Sequence, residues 1–353
     1  MRRVLIRVMA AVLLVPLLNG CTGIGYYAQS VDGHLKMLSA REKVEKLIDD
    51  ATKPGQLRAQ MALARDIRRF ASDELALPDN NSYRSYVDTG RDYVTYAVFA
   101  APEFSLTAHT WCFPVYGCVP YRGYFFRDAA VEFAIKAQQQ GLDVHVAGIT
   151  AYSTLGWFAD PLLNTMFRHD ETYLAGLVFH ELAHQQVYVR GDTAFNEAFA
   201  VAVETTGVKR WLKQTSDAAA LRRYEADLAR KAVFLELVAQ ARADLAEVYA
   251  GPGSDAAKRA AKTAAIEKLR RRYRRMRDGR WGGYRGYDGW FDAPINNAKL
   301  AVSGFYNDLV PDFVRLLAAC SGDYTTFYEA VERIGALDEN RRHAALKAAK
   351  RCR

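Results

Sequence analysis

Apolar residues recur at helical spacing through residues 34–76, set among many Arg and Lys, and predict one or two surface helices. The period then changes. In DYVTYAVFAA (92–101) apolar and polar residues alternate, as in a strand, and DVHVAGITAYST (143–154) reads the same way. Between them YRGYFFRDAAVEFAIKAQQQGL returns to helical spacing and holds a helix ending at Gly141. Asp160-Pro161 has the form of a helix start, with Asp as cap and Pro in the first turn. Asp170 can cap the next helix, whose apolar run LAGLVF leads to a stop before Gly191. Asp192 or Thr193 then caps a further helix.

From about 216 to 278 the chain is rich in Ala, Arg, Glu and Leu, broken only by GPGSD at 251–255. That pattern predicts an inserted helical hairpin. Its second arm carries KLRRRYRRMR, a solvated basic face or a face that touches anionic lipid. The fold class is therefore α+β, mainly helical, with a small β-sheet.

The 353 residues are half apolar and a quarter charged, which is ordinary for a globular protein. The first 20 residues differ. MRRVLIR is a basic leader, VMAAVLLVPLL is apolar but too short to span a membrane comfortably, and LNGC ends at Cys21. The ending looks like a bacterial lipobox, with residues 1–20 as signal peptide and Cys21 lipidated as the first mature residue. Secretion with cleavage nearby is the alternative. Thr22, where Asp would retain the protein at the inner membrane, points to the outer membrane. Three of the 48 Lys and Arg fall in the leader, so the mature chain, 21–353, holds 45 against 40 Asp and Glu. That balance, in an exported protein, argues against nucleic acid as a partner.

Four cysteines follow Cys21, and in an oxidising compartment an even number favours disulfides. Three pairings exist. WCFPVYGC places Cys112 and Cys118 close together around Pro114 and Gly117, which suit a loop, and Cys320–Cys352 follows by elimination.

The chemistry concentrates in His180-Glu181-Leu182-Ala183-His184, two of only seven histidines in the chain. Positions four apart share one helix face, so both imidazoles can address one metal ion. Imidazole nitrogen suits zinc, and three protein ligands with a water make a catalytic site. Glu181, beside the first ligand, can take a proton from that water. The third ligand follows from reach. If the helix continues to about Arg190 it runs about 9 Å past His184, and Glu197 stands ~7.5 Å into the next helix. Folded back antiparallel, Glu197 returns to the level of His184. Glu204, seven residues on, nears His180, where it can hydrogen-bond the imidazole and fix its tautomer; it is also the alternative third ligand.

HELAH followed by NEAFA resembles the gluzincin metallopeptidases, in which a second helix supplies the ligand glutamate. The resemblance implies His180, His184 and Glu197 as ligands of one zinc ion and Glu181 as general base. The spacing of twelve residues between His184 and Glu197 is shorter than in the larger gluzincins. More closely, CVPYRGYF, AYSTLGWFADPLL, FHELAHQQVYVRGDTAFNEAFA and NNAKL resemble a bacterial family described as putative aminopeptidases. The related aminopeptidases carry a Gly-x-Met-Glu-Asn strand whose glutamate holds the substrate's free amine, and this chain has none. GITAYSTLGWF, in the corresponding place, offers no carboxylate before Asp160 but can pair with an extended peptide as an edge strand.

Tyr152, Tyr188 on the motif helix, and Tyr306 in GFYNDL are candidates to stabilise the oxyanion, with Tyr306 preferred. The resulting expectation is a lipid-anchored, periplasm-facing zinc peptidase acting on peptides. The alternatives are an envelope scaffold with a structural zinc, for which His169 or Asp170 would be the nearest fourth ligand, and a zinc amidase acting on cell-wall fragments.

Overall fold

The structure is a computed structural model, and it describes residues 26, 29, 32, 33, 35–113, 117–151, 153–303 and 308–352. Cys21, Tyr152 and Tyr306 lie outside that set. The described part is mainly helical, 60% helix against 10% strand, with the strands in small sheets.

Residues 34–76 form helices as expected, and the main one is amphipathic, with one face in the core and the other exposed. After strand β1 (Glu42–Lys43) and helix α1 (Val44–Asp49) comes α2 (Gly55–Asp73). It buries Met61, Ala64, Ile67, Phe70 and Ala71 on one face, and Arg68 with them. A buried guanidinium must be hydrogen-bonded throughout. Arg68 donates to the carbonyls of Pro78, Asn80 and Ser82 and to the Ser72 hydroxyl, and so anchors the loop that leads into β2 (Ser85–Val87).

The two alternating segments become neighbours. Strand β3 (Thr95–Pro102) is followed by a ribbon of β4 (Trp111–Phe113) and β5 (Gly117–Val119), then by β6 (Arg122–Tyr124), helix α3 (Arg127–Gln139) and β7 (Leu142–Ile149). β3 lies between β6 and β7, antiparallel to both, with Val98 opposite Val146. Cys112–Cys118 bridges the β4–β5 ribbon.

Asp160-Pro161 does not start a helix. The chain stays extended into β8 (Leu162–Leu163), which pairs parallel with β2, and only one 3₁₀ turn, Asn164–Phe167, follows. The reason is local. The Asp160 carboxylate turns backwards, accepting from the Thr154 amide and hydroxyl, so it cannot cap ahead.

Helix α4 (Glu171–Gln186), capped by Asp170, carries the two histidines, and α5 (Thr193–Gln214), capped by Asp192, carries Glu197 and Glu204. α4 is apolar nearly all round, burying Leu174, Val178, Phe179, Leu182 and Ala183, as suits a helix packed on several sides. It ends at Gln186, short of the expected Arg190, because Val187 turns extended and enters the core. Tyr188 is therefore past the helix end and half exposed.

Helices α6 (Ala218–Ala250) and α7 (Asp255–Asp278) occupy the segment read as a hairpin, and Ser254 in the turn caps the second arm. Short helices α8 (Asp288–Asp292) and α9 (Asn297–Val302) lead to α10 (Val310–Ala319), α11 (Tyr324–Gly335) and α12 (Glu339–Ala348). Cys320–Cys352 ties the C-terminal residues to the end of α10. Among the described residues, no helix is long and apolar enough to cross a membrane.

Candidate metal centre

Helices α4 and α5 approach closely, and glycine permits it. A Cβ on Gly207 would stand 2.7 Å from Leu75 Cδ1 and 2.9 Å from Phe179 Cδ2, and one on Gly176 3.2 Å from Glu204 Cγ. At Gly207 a side chain would force its neighbours to shift, and at Gly176 it would press on Glu204. His180 meets Glu204 and His184 meets Glu197, so the helices run antiparallel.

The turn between them is fixed by two buried side chains. Asn196 accepts from the Val189 amide and donates to its carbonyl, both at 2.8 Å. It holds the extended segment in register one residue before Glu197. Asp192 caps α5 through the Phe195 amide at 3.0 Å. Its other oxygen accepts from Arg342 and from His343 Nε2 on α12, and Asp192 and Arg342 are both almost wholly buried.

With the helices so placed, His180 Nε2 and His184 Nε2 lie 3.2 Å apart. Glu197 brings one oxygen to 3.4 Å from His180 Nε2 and the other to 3.7 Å from His184 Nε2. Two ligands of a tetrahedral zinc at its usual ~2.0–2.1 Å bond length are separated by about 3.3–3.4 Å. The three donors fit such an ion, and they form a group able to hold a metal. Behind them, His180 Nδ1 meets Glu204 Oε2 at 3.0 Å, the contact that orients an imidazole and leaves Nε2 for the metal. His184 Nδ1 is buried with no hydrogen-bond partner among the described residues.

Electrostatics agrees with a cation site. Burial alone would lower the His180 pKa, yet the hydrogen bonds to Glu197 and Glu204, with the charge of Glu181, push it up to about 10. Burial and the neighbouring His180 charge hold His184 down, at about 4. The carboxylates thus demand positive charge at the point where both Nε2 atoms aim.

Glu181 lies outside the three-donor group and within the field of His180. Burial, followed by the opposed charges of His180, Glu197 and Asp160, pushes its carboxyl up to about 7, within range of a base working near neutrality. The Ser153 hydroxyl bonds it. Tyr83, fully buried and in the left-handed region at φ 64°, lies within the field of Glu181 and Asp160.

The expected fourth-ligand candidates are elsewhere. Asp170 caps the far end of α4, ten residues or about 15 Å before His180, and His169 packs on the Tyr173 ring. Of the nominated tyrosines, Tyr188 lies in the field of Glu197, while Tyr152 and Tyr306 fall outside the described residues. One tyrosine was missed. Tyr121, although 42% exposed, is raised to about 12 by burial of its phenol and then by the charges of Glu197, Tyr188 and Glu181, so it lies within the field of the centre. Its place directly after the Cys112–Cys118 ribbon, in CVPYRGYF, was the available signal.

A mainly helical α+β protein with a His-His-Glu group able to hold a metal between two antiparallel helices is the class that the fold and the site define. The chain belongs to the putative aminopeptidase family, whose model matches residues 25–346. No curated protein and no solved structure matches it.

Removing one member of a buried ion pair strands the other charge. Asp192→Ala is expected to lower unfolding stability by about 3–5 kcal/mol, as read by urea denaturation. A loss below about 1 kcal/mol, the range of exposed pairs, would show that this contact does not fix the start of α5.

Proposed function

We propose that the chain is a zinc-dependent peptide hydrolase of gluzincin type, formed by one metallopeptidase domain over residues 21–353 with the hairpin as an insertion. The reading rests on one observation above all. The Nε2 atoms of His180 and His184 converge at 3.2 Å with Glu197 beside both, and Glu181 follows the first of them with its carboxyl near neutrality. The family's description points to the same reaction class.

His180, His184 and Glu197 would hold the ion, three protein ligands being the pattern of catalytic rather than structural zinc. Bound zinc supplies Lewis acidity and lowers the pKa of a water toward neutrality. Glu181 accepts a proton from the attacking water and returns it to the leaving amine. Ser153 holds the Glu181 carboxylate in place, and Glu204 keeps His180 in the tautomer that presents Nε2. Tyr121, in the field of Glu197 and Glu181, would steady the carbonyl oxygen of the substrate.

In this reading residues 1–20 are a signal peptide and Cys21 carries lipid, so the domain faces the periplasm, on the outer membrane. The lipobox-like LNGC is the support. Growth with labelled fatty acid should label the wild-type chain and not Cys21→Ser. An unlabelled wild type would remove the anchor from the account.

Glu181→Gln keeps the shape of the side chain and removes the base. The expected variant is folded, retains its metal, and hydrolyses peptides more slowly by roughly 10²–10⁴. Undiminished hydrolysis by this variant would rule the mechanism out.

A further inference from the structure

The next inference rests on the peptidase reading and concerns how substrate is held. A free amino terminus is an ammonium ion, and a site that selects it needs a carboxylate left open beside the reacting bond. Every Asp and Glu of this chain lies among the described residues, because the others contain none.

The carboxylates that geometry and charge tie to the centre are Glu197, Glu204, Glu181 and, through the Ser153 hydroxyl, Asp160. Glu197 faces both imidazoles, Glu204 is bonded to His180, and Glu181 is the base. Asp160 alone has no part in the chemistry, and it is not open. It is 1% exposed, with one oxygen accepting from the Thr154 hydroxyl at 2.8 Å. The other accepts from the Thr154 amide at 3.0 Å and lies 3.4 Å from the Ser153 hydroxyl. An incoming ammonium could reach it only by undoing the loop 153–160 that it shapes.

That loop offers something else. Leu155 at φ 54° and Gly156 at φ 81° turn the backbone, a conformation costly for leucine that persists only where surroundings enforce it. Ser153 holds the start of the loop to Glu181. Gly156 lies against Gln185, one turn beyond Glu181 on α4, where an added Cβ would be 3.5 Å from the Gln185 side chain. Trp157 follows directly and is 79% exposed. Trp157 thus sits on a loop tied to α4 at Glu181 and Gln185, and an indole so largely exposed on it is an apolar surface for a ligand.

We propose that this centre selects peptides by a large apolar side chain resting on Trp157 rather than by a free amino terminus, so that peptides with blocked amino termini are substrates. The test uses the zinc-loaded mature chain and a matched peptide set, each with one Phe or Leu at a varied position. Every peptide is supplied both free and N-acetylated, with products read by mass spectrometry.

The expected result is cleavage beside the large residue in both forms, at kcat/KM values within about threefold, since a missing ammonium contact would otherwise cost far more. Trp157→Ala should raise KM for these peptides by about tenfold, the usual scale of a lost apolar anchor, while lowering kcat far less. Cleavage of the free forms alone, or stepwise loss of residues from the amino end, would overturn this proposal and leave the peptidase reading intact. An unchanged KM in Trp157→Ala would overturn the role of Trp157. Failure to cleave any peptide in either form would overturn both readings.

Discussion

The close antiparallel contact of α4 and α5 is the constraint on which the site depends. Gly176 and Gly207 remove the Cβ atoms that would hold the two helices apart. At that separation Glu204 can reach His180 and Glu197 can reach both imidazoles. A side chain in place of Gly207 would press on Phe179 of α4 and one in place of Gly176 on Glu204 itself, and carboxylates on a two-methylene tether have little slack to follow. The turn is held as firmly as the helices, by Asn196 on Val189 and by Asp192 on Arg342 and His343. The last two belong to α12, so the C-terminal part of the chain, itself tied by Cys320–Cys352, helps to set where α5 begins.

The sheet reaches the centre by a different route. NNAKL, which had no assigned role in the sequence, is the connection. Asn297, wholly buried, donates to the carbonyls of Pro102 and Glu103, accepts from Tyr249 on α6, and through its amide bonds Asp143. Asn296 donates to the Val144 carbonyl on β7. Lys262 on α7 closes the set with a bond to Asp143 at 2.5 Å. The hairpin is thus bolted to β3 and β7. The chain leaving β7 is fixed again by Thr150, paired with Tyr173 on α4, before it enters the loop beside Glu181. Rigid support of this kind is what Glu181 would need to serve as the proposed base.

Much of the centre was legible in the sequence because it depends on periodicity. His180 and His184 share a face for any helix, and Glu197 and Glu204 follow from folding the next helix back. That reasoning survived an error in detail. α4 stops at Gln186 rather than Arg190, but the extended residues after it span the same gap. Other readings failed where tertiary contacts overrode local preference. Arg68, one of the many cations of residues 34–76 and not distinguishable among them by pattern, is buried under the carbonyls it serves. Asp160 looked like a forward cap and bonds backwards. Tyr121 could not be nominated from spacing, because its approach to Glu197 depends on the path of the ribbon closed by Cys112–Cys118.

The central claim is that His180, His184 and Glu197 form one metal centre. Elemental analysis of the purified mature chain tests it most directly, on wild type and His184→Ala prepared alike, with circular dichroism to check folding. The account predicts about one zinc per wild-type chain, as for a three-ligand catalytic site, and nearly none in a folded His184→Ala. A wild-type chain that neither carries nor takes up zinc, or a His184→Ala chain that keeps it in full, would contradict the account.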